Sequence, residues 1–386
     1  MMKPKTEAEL ADMVGAASGP LHVFGGGTRP IGHPVTGAAL GLSDMSGIVD
    51  YEPGALTLVA KAGTPVAGIE AALAGEGQRL AFEPMDHRVL LGTSGTPTIG
   101  GVVAANVSGP RRVAVGAARD FLLGVRFVDG RGRVLKNGGR VMKNVTGYDL
   151  VKLLAGSHGT LGVLSEVSFK VLPTPEAVRT LVLHGVTGRD ALDAMTRAIT
   201  SPFEVSGAAH LPGDDPRVLL RIEGFAGSVA YRVDRLKALL ADLGEISVID
   251  TPEENAALWR AIRDVEALKD RAAVWRISMT PGAMMTGLLP ALGDDARHVQ
   301  LDWAGGLCWL GADTGAAELH GRLQALVADR DVNAGGGGHA TLIKGDEALR
   351  ASVPVFQPQP APIAALSEGL RDRFDPRGIL NPGLMG

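Results

Sequence analysis

Apolar positions recur along this chain with two periods, and the switches between them divide it. Val163, Val167, Phe169 and Val171 alternate with Glu166, Ser168 and Lys170, which predicts a half-buried strand. Residues 6–14 keep helical spacing instead, as do Val66, Ile69 and Leu73, with Pro65 at the first turn of that helix. Short apolar runs at 21–24, 56–60 and 121–128 read as further strands, and Asp129-Gly130 predicts a hairpin turn into Val134 and Leu135. Residues 149–153 predict a short helix after Gly147. Pro173 and Pro175 then break the chain.

Beyond them the texture changes. Strands predicted at 179–184, 218–223, 246–250 and 274–279 alternate with helices at 191–199, 229–240 and 255–268. This alternation predicts a separate α+β domain whose largely antiparallel sheet is covered by helices on one side. Prolines at 354, 358, 360 and 362 lead to a short helix ending at Phe374 and a stiff tail at 375–383, expected to be docked. The division is therefore 1–173, 174–350 and 351–386.

Glycine changes the picture most. The chain has 53 among its 386 residues, about twice the usual share of roughly 7%, and they cluster. Gly25-Gly26-Gly27-Thr28 follows the 21–24 strand, and Pro30 and Pro34 exclude the long helix that a dinucleotide fingerprint would open. Such a turn is either a nest of N–H groups for phosphate, with Thr28 adding a hydroxyl, or a plain connection. Thr98, Gly100, Gly101, Asn106 and Gly109 stand in a small-residue run that packs against something flat or against another element. Residues 156–162 carry three glycines at three-residue spacing, leaving backbone free to approach a ligand. A fourth cluster lies at 335–338.

Composition mostly excludes. A formal net charge of −4 offers no basic footprint for nucleic acid. No apolar run reaches the roughly 18 residues needed to cross a bilayer, and no signal-peptide pattern opens the chain, so the expected address is the cytoplasm. The single cysteine, Cys308, excludes an intrachain disulfide, a Cys-rich zinc site and a four-cysteine iron–sulfur cluster built by this chain alone.

Four pieces in this order, the turn at 25–32, the run at 98–109, the stretch at 143–171 and the tail at 375–383, resemble the flavoproteins of the vanillyl-alcohol oxidase (PCMH) type. Within that family the chain is similar to the E-type, FAD-binding subunit of bacterial glycolate oxidase. That likeness rests on Val141-Met142-Lys143-Asn144-Val145, Trp275-Arg276-Ile277-Ser278, Asp302-Trp303-Ala304-Gly305-Gly306 and Gly338-His339-Ala340-Thr341. The resemblance implies an α+β fold: a two-lobed FAD-binding domain, a smaller α+β substrate domain and a tail packed back on the first. It also implies that Gly25, Gly26, Gly27, Thr28, Gly100 and Gly101 sit at the FAD pyrophosphate. Pro84, Thr98, Asn106 and Gly109 would line the cofactor, and Thr160, Gly162 and Val163 would add contacts. No histidine directly follows the 25–27 glycines, and His33 comes too late, so FAD is expected to be non-covalent. A paired-histidine metal motif of hydroxy-acid-oxidising relatives is missing, so no metal is expected.

Oxidation of a 2-hydroxy acid needs a cation for the carboxylate, a base for the hydroxyl proton and a hydride acceptor. Arg276 interrupts an apolar strand and is the candidate clamp; the alternative is a structural pair with a carboxylate such as Asp302. His339 is the candidate base, or else a satisfied turn histidine. Tyr148, Lys143 and Asn144 either face the flavin or cap the 149–153 helix, and Trp259 and Met279 are expected in the core. Three functions follow: a subunit of a glycolate oxidase complex with a second FAD-containing subunit and an iron–sulfur partner; a flavin-binding, electron-relay or assembly subunit without turnover; or a stand-alone flavin oxidoreductase.

Overall fold

The computed structural model describes residues 1–140, 147–329, 331–332 and 337–386. Lys143, Asn144, the 141–145 motif and the first two glycines of the 335–338 cluster lie outside the described residues. The first half carries β1 (Leu21–Phe24), β2 (Ala38–Gly41), β3 (Ile48–Glu52), β4 (Thr57–Lys61), β5 (Gln78–Arg79), β6 (Leu122–Val128), β7 (Val134–Gly138), β8 (Val163–Lys170) and β9 (Leu172–Pro173). The second carries β10 (Ala177–His184), β11 (Val205–Leu211), β12 (Arg217–Gly224), β13 (Ile246–Ile249), β14 (Ala273–Ser278), β15 (Val299–Asp302), β16 (Leu307–Ala312) and β17 (His339–Lys344). Among the described residues no strand crosses between these groups: β10–β17 form one eight-stranded sheet, and β1–β9 form a five-stranded sheet and two small pairs.

The five-stranded sheet runs β3-β4-β8-β6-β7, antiparallel throughout. Its middle strand is β8, so the predicted half-burial is corrected: Leu164, Ser165 and Ser168 are buried as well as the apolar row, because both faces are covered. The turn after β6 is also wider than the Asp-Gly dipeptide predicts. Asp129, fully buried, accepts from the backbone of Arg131 and Arg133, and it is Gly132, not Gly130, that takes positive φ.

A smaller lobe holds the parallel pair β1–β2 and the helix Glu7–Ala16, whose first turn is capped by the Thr6 hydroxyl. Its core of Leu10, Val14, Leu21 and Leu40 is closed by Ile379 and Leu380. The Leu21 N–H donates to the Ile379 carbonyl at 2.7 Å, and the Asn381 side chain holds both the N–H and the C=O of Val23. Arg377 adds bonds to the carbonyls of Val14, Gly15, Ala17 and Gly130. The preceding helix, Ala361–Phe374, buries none of its residues fully.

In the eight-stranded sheet the expectation of helices on one side is corrected. Leu181, Leu183, Val218 and Leu220 pack against the helices Gly188–Thr200 and Ala226–Leu239. Their sequence neighbours Val182 and Leu219 point the other way, onto Trp259 and Ile262 of the helix Pro252–Arg263. Strands apolar on both faces need cover on both. Trp259 and Met279 are buried, as expected.

A buried ion-pair network joins the halves. Arg221 of β12, 1% exposed, donates from both terminal nitrogens to the Glu83 carboxylate at 3.0 and 3.1 Å. Arg111 reaches Glu83 at 2.9 Å and Glu223 at 2.7 Å, and Arg79 reaches Glu223 at 3.0 Å. Burial alone would raise the pKa of both acids, but the guanidiniums, Arg221 foremost, outweigh it and hold both below the ordinary 4.5. Replacing Arg221 by Met leaves two buried carboxylates under-compensated and is expected to lower stability by about 3–5 kcal/mol in urea unfolding. Because the acids' pKa values are depressed in the folded state, their contribution is full above pH 4.5 and is lost as pH falls below it. The variant should therefore unfold in acid with a shallower pH dependence; an unchanged acid limb would contradict the network's role.

Candidate active site

Between the two lobes lies a cleft of about 340 Å³ whose wall is the turn after β1, Gly25 through Pro30, faced by Thr98, Gly101 and His158. A smaller extension of about 60 Å³ continues past Gly100, Gly159, Gly162 and Val163. The glycines are required by contact. A Cβ on Gly26 would fall inside the Thr96 carbonyl, one on Gly25 would strike the Thr98 side chain, and one on Gly100 would lie 2.7 Å from the Ala62 Cβ. At Gly162 it would meet the Phe127 ring at 2.5 Å. With the chain pressed against its neighbours in this way, the N–H groups of Gly25, Gly26, Gly27, Thr28 and Arg29 find no acceptor among the described residues. Consecutive free donors in a bare turn are an anion nest.

Arg29, which sequence reasoning passed over, lies in the wall of the same cleft, with its guanidinium beside Gly101. No carboxylate pairs with it among the described residues; burial lowers its pKa to about 10, against a partial pull from Asp86, so it stays charged at neutral pH. His158, in left-handed backbone at φ 50, is pushed down to about 4 by burial and then by Arg29, and is neutral. Its carbonyl accepts from Asn381, so the docked tail floors the cleft. Dianionic pyrophosphate fits this donor set: free amides, the half-buried guanidinium of Arg29 with Arg350 at the rim, and no opposing acid among the lining residues but Glu347.

The predicted cofactor residues are thus partly gathered. Gly25, Gly26, Gly27, Thr28, Thr98, Gly100, Gly101, Gly162 and Val163 line the two clefts. Pro84, Asn106, Gly109 and Thr160 do not. Asn106 accepts from the Arg119 N–H, Gly109 bonds the Phe82 carbonyl, and Thr160 donates to the Ser157 carbonyl in contact with the tail. Tyr148 is 89% exposed and does not cap its helix; the Asp149 side chain does.

The candidate catalytic pair lies where the halves meet. The β14–β17 register places Arg276 and His339 on one face of the sheet. The structural pair of Arg276 with Asp302 is absent. Asp302, buried and pushed up to about 7 by that burial, accepts from the Trp303 N–H, whereas Arg276 sits 5.1 Å over the Trp303 ring with no carboxylate partner among the described residues. Burial and then the charge of Arg112 lower Arg276 to about 10, so it remains cationic. His339, exposed on one side, is pushed down by desolvation on the other and then by the charges of Arg276 and Arg112, which favours the neutral ring. His87, buried with Nδ1 unpartnered, feels both Arg29 and Arg276 and so links the two sites. No group of three metal-ligating side chains occurs among the described residues.

A two-lobed glycine cradle followed by an antiparallel cap sheet defines a flavoprotein of the vanillyl-alcohol oxidase type, and comparison supports the class. Residues 1–138 match the FAD binding domain family. The fold superposes on 4-ethylphenol oxidase from Gulosibacter chungangensis with a TM-score of 0.71 over 99% of this chain and 88% of that one, at 14% identity. In sequence it is 34% identical to glycolate oxidase subunit GlcE of Escherichia coli K12 over 95% of this chain and 92% of that protein. It is 26% identical to glycolate oxidase subunit GlcD of Bacillus subtilis 168 over 75% and 68%. The chain belongs to the GlcE family of FAD-binding glycolate oxidase subunits.

Placing a methyl group in the cradle by Gly26→Ala forces the turn away from Thr96 and is expected to abolish flavin retention, read as the ratio of flavin to protein absorbance. Arg29→Gln should keep the fold and weaken FAD about tenfold, the worth of one charge-assisted bond to phosphate; undiminished affinity would remove Arg29 from the site.

Proposed function

We propose that this chain is the FAD-binding subunit of a glycolate oxidase complex and contributes to the oxidation of glycolate to glyoxylate. The observation that carries this reading is the near full-length match to GlcE, which brings the whole chain and not the cradle alone into register with a glycolate oxidase subunit. Its partners on this reading are a second FAD-containing subunit and an iron–sulfur subunit; any cluster to which electrons pass would sit on the latter, because one cysteine, buried Cys308, cannot hold it. On this reading the complex works in the cytoplasm, at the inner membrane where its partners bring it there. No helix among the described residues is long and apolar enough to cross a membrane. Residues 1–173 act as the FAD domain, 174–350 as the substrate domain and 351–386 as the tail that closes the cleft.

The cofactor role extends to Pro84, Asn106, Gly109 and Thr160 through the shape they give the surrounding backbone, while the lining residues hold FAD non-covalently. Bound FAD supplies a hydride acceptor at N5. Arg276 holds the substrate carboxylate, and His339, neutral at working pH, takes the hydroxyl proton. Both lie on one face of the cap sheet within reach of Arg112 of the FAD half, where a substrate would meet the cofactor.

Purified alone and supplied with FAD, the chain should become yellow and be bleached anaerobically by glycolate. His339→Ala should slow that bleaching at least about a hundredfold, as expected for a general base, with FAD content unchanged. A yellow chain indifferent to glycolate and to D-lactate would place turnover in the other flavin subunit. Affinity capture of the tagged chain from its native cell should bring down a flavoprotein and an iron–sulfur protein together.

A further inference from the structure

We propose that Arg112 and Arg276, one from each half of the molecule, form a paired guanidinium clamp on the substrate carboxylate, with Trp303 as its positioning residue. The inference rests on the functional reading above and adds to it a binding residue supplied by the FAD half. Arg112 opens the short helix Arg112–Val115, and its guanidinium carbon lies 4.5 Å over the Trp303 ring; that of Arg276 lies 5.1 Å over the same ring. Both cations therefore lie over one indole, close enough that the charge of Arg112 lowers the pKa of Arg276.

Neither has a carboxylate partner among the described residues. The contrast with the adjacent arginine is direct: Arg111 is fully engaged by Glu83 and Glu223 in the network between the halves, while Arg112 points to Trp303. Asp120, the acid that acts on Arg112 from a distance, is taken by the Ala117 N–H and by Arg119 and Lys152. A ring face attracts a guanidinium but does not neutralise it, so two half-buried like charges at one site call for an anion.

The independent observation is how Trp303 is held. Trp303 and Ala304 are consecutive non-glycine residues in left-handed backbone, at φ 52 and 56. Such strain persists only where neighbours enforce it, and here they do: the Asp302 carboxylate accepts from the Trp303 N–H at 2.7 Å, and the indole Nε1 donates to the Gly109 carbonyl at 3.1 Å. That second bond ties the cap turn to the backbone three residues before Arg112 and so fixes the ring over which both guanidiniums lie. His339 shares the sheet face of Arg276, so a carboxylate in the clamp brings the hydroxyl-bearing carbon toward it.

The test is titration of the FAD-loaded full chain with oxalate, a non-oxidisable dianion, followed by flavin absorbance and tryptophan fluorescence. Arg112→Met and Arg276→Met should each raise the oxalate Kd about tenfold or more, and Arg112→Lys should recover part of the loss. Trp303→Phe, which keeps an aromatic face but loses the Nε1 bond, should weaken binding less than either arginine variant. FAD stoichiometry should be unchanged in all four, and Arg112→Gln serves if the Met variant does not fold. An Arg112 variant that binds oxalate as the parent does, or a parent with no saturable response, overturns the clamp. The functional reading fails separately: a chain that binds oxalate through both arginines yet is not bleached by glycolate sinks that reading and leaves the clamp. Bleaching with an Arg112-independent Kd does the reverse.

Discussion

The contact between backbone 25–26 and backbone 95–98 is the constraint from which the cofactor site follows. It is reciprocal: a Cβ on Gly26 would occupy the Thr96 carbonyl, and a Cβ on Gly95 would occupy the Gly26 carbonyl. Two loops interlock at a separation that only residues without a Cβ allow. The pinned turn lines the cleft with its amides unpartnered among the described residues, and because Thr98 also caps the helix Ile99–Ala104, the second wall is set by the same contact. The same device recurs at Gly100 against Ala62 and at Gly162 against Phe127.

Charge is arranged with similar economy. The chain is net negative, yet its inner surfaces carry two kinds of cation that do different things. Arg79, Arg111 and Arg221 are paired with Glu83 and Glu223 and hold the halves in register. Arg29, Arg112 and Arg276 have no such partners among the described residues and face the cleft or the junction. The first set makes the second possible: unpaired guanidiniums close together repel, and the paired network supplies the rigidity that keeps them there. The histidines in their field, His87, His158 and His339, are all driven toward the neutral form, so the positive field comes from arginine alone and does not vary near pH 7.

Much of the first half was legible in the sequence because its signals are local. The strand at 21–24 coincides with β1, and the spacing of Val66, Ile69 and Leu73 gave the buried stripe of the helix Val66–Gly75. The second half was less legible. β11 and β15–β17 escaped notice, and Leu181-Val182-Leu183 was read as one-sided although unbroken apolar runs signal cover on both faces. The least legible features were contacts between distant segments. Arg112 meets Trp303, and Trp303 meets Gly109, across nearly two hundred positions, and no periodicity reports such a meeting. Arg29 does carry a signal in the sequence, an arginine at the end of a glycine turn, a cation beside the backbone donors.

The tail has a consequence for how the cradle can be handled. Every glycine of the nest lies before Pro173, which suggests an excisable nucleotide-binding module. Yet the edge of β1 is satisfied by Ile379 and Asn381, the lobe's core is closed by Leu380, and the carbonyl of His158 is held by Asn381. A fragment severed after the ninth strand would carry the full set of small residues with one margin of its first strand bare and a hole beneath it. The ligand-gripping surface is therefore a property of the intact polypeptide, stitched shut by a segment some three hundred and fifty positions away.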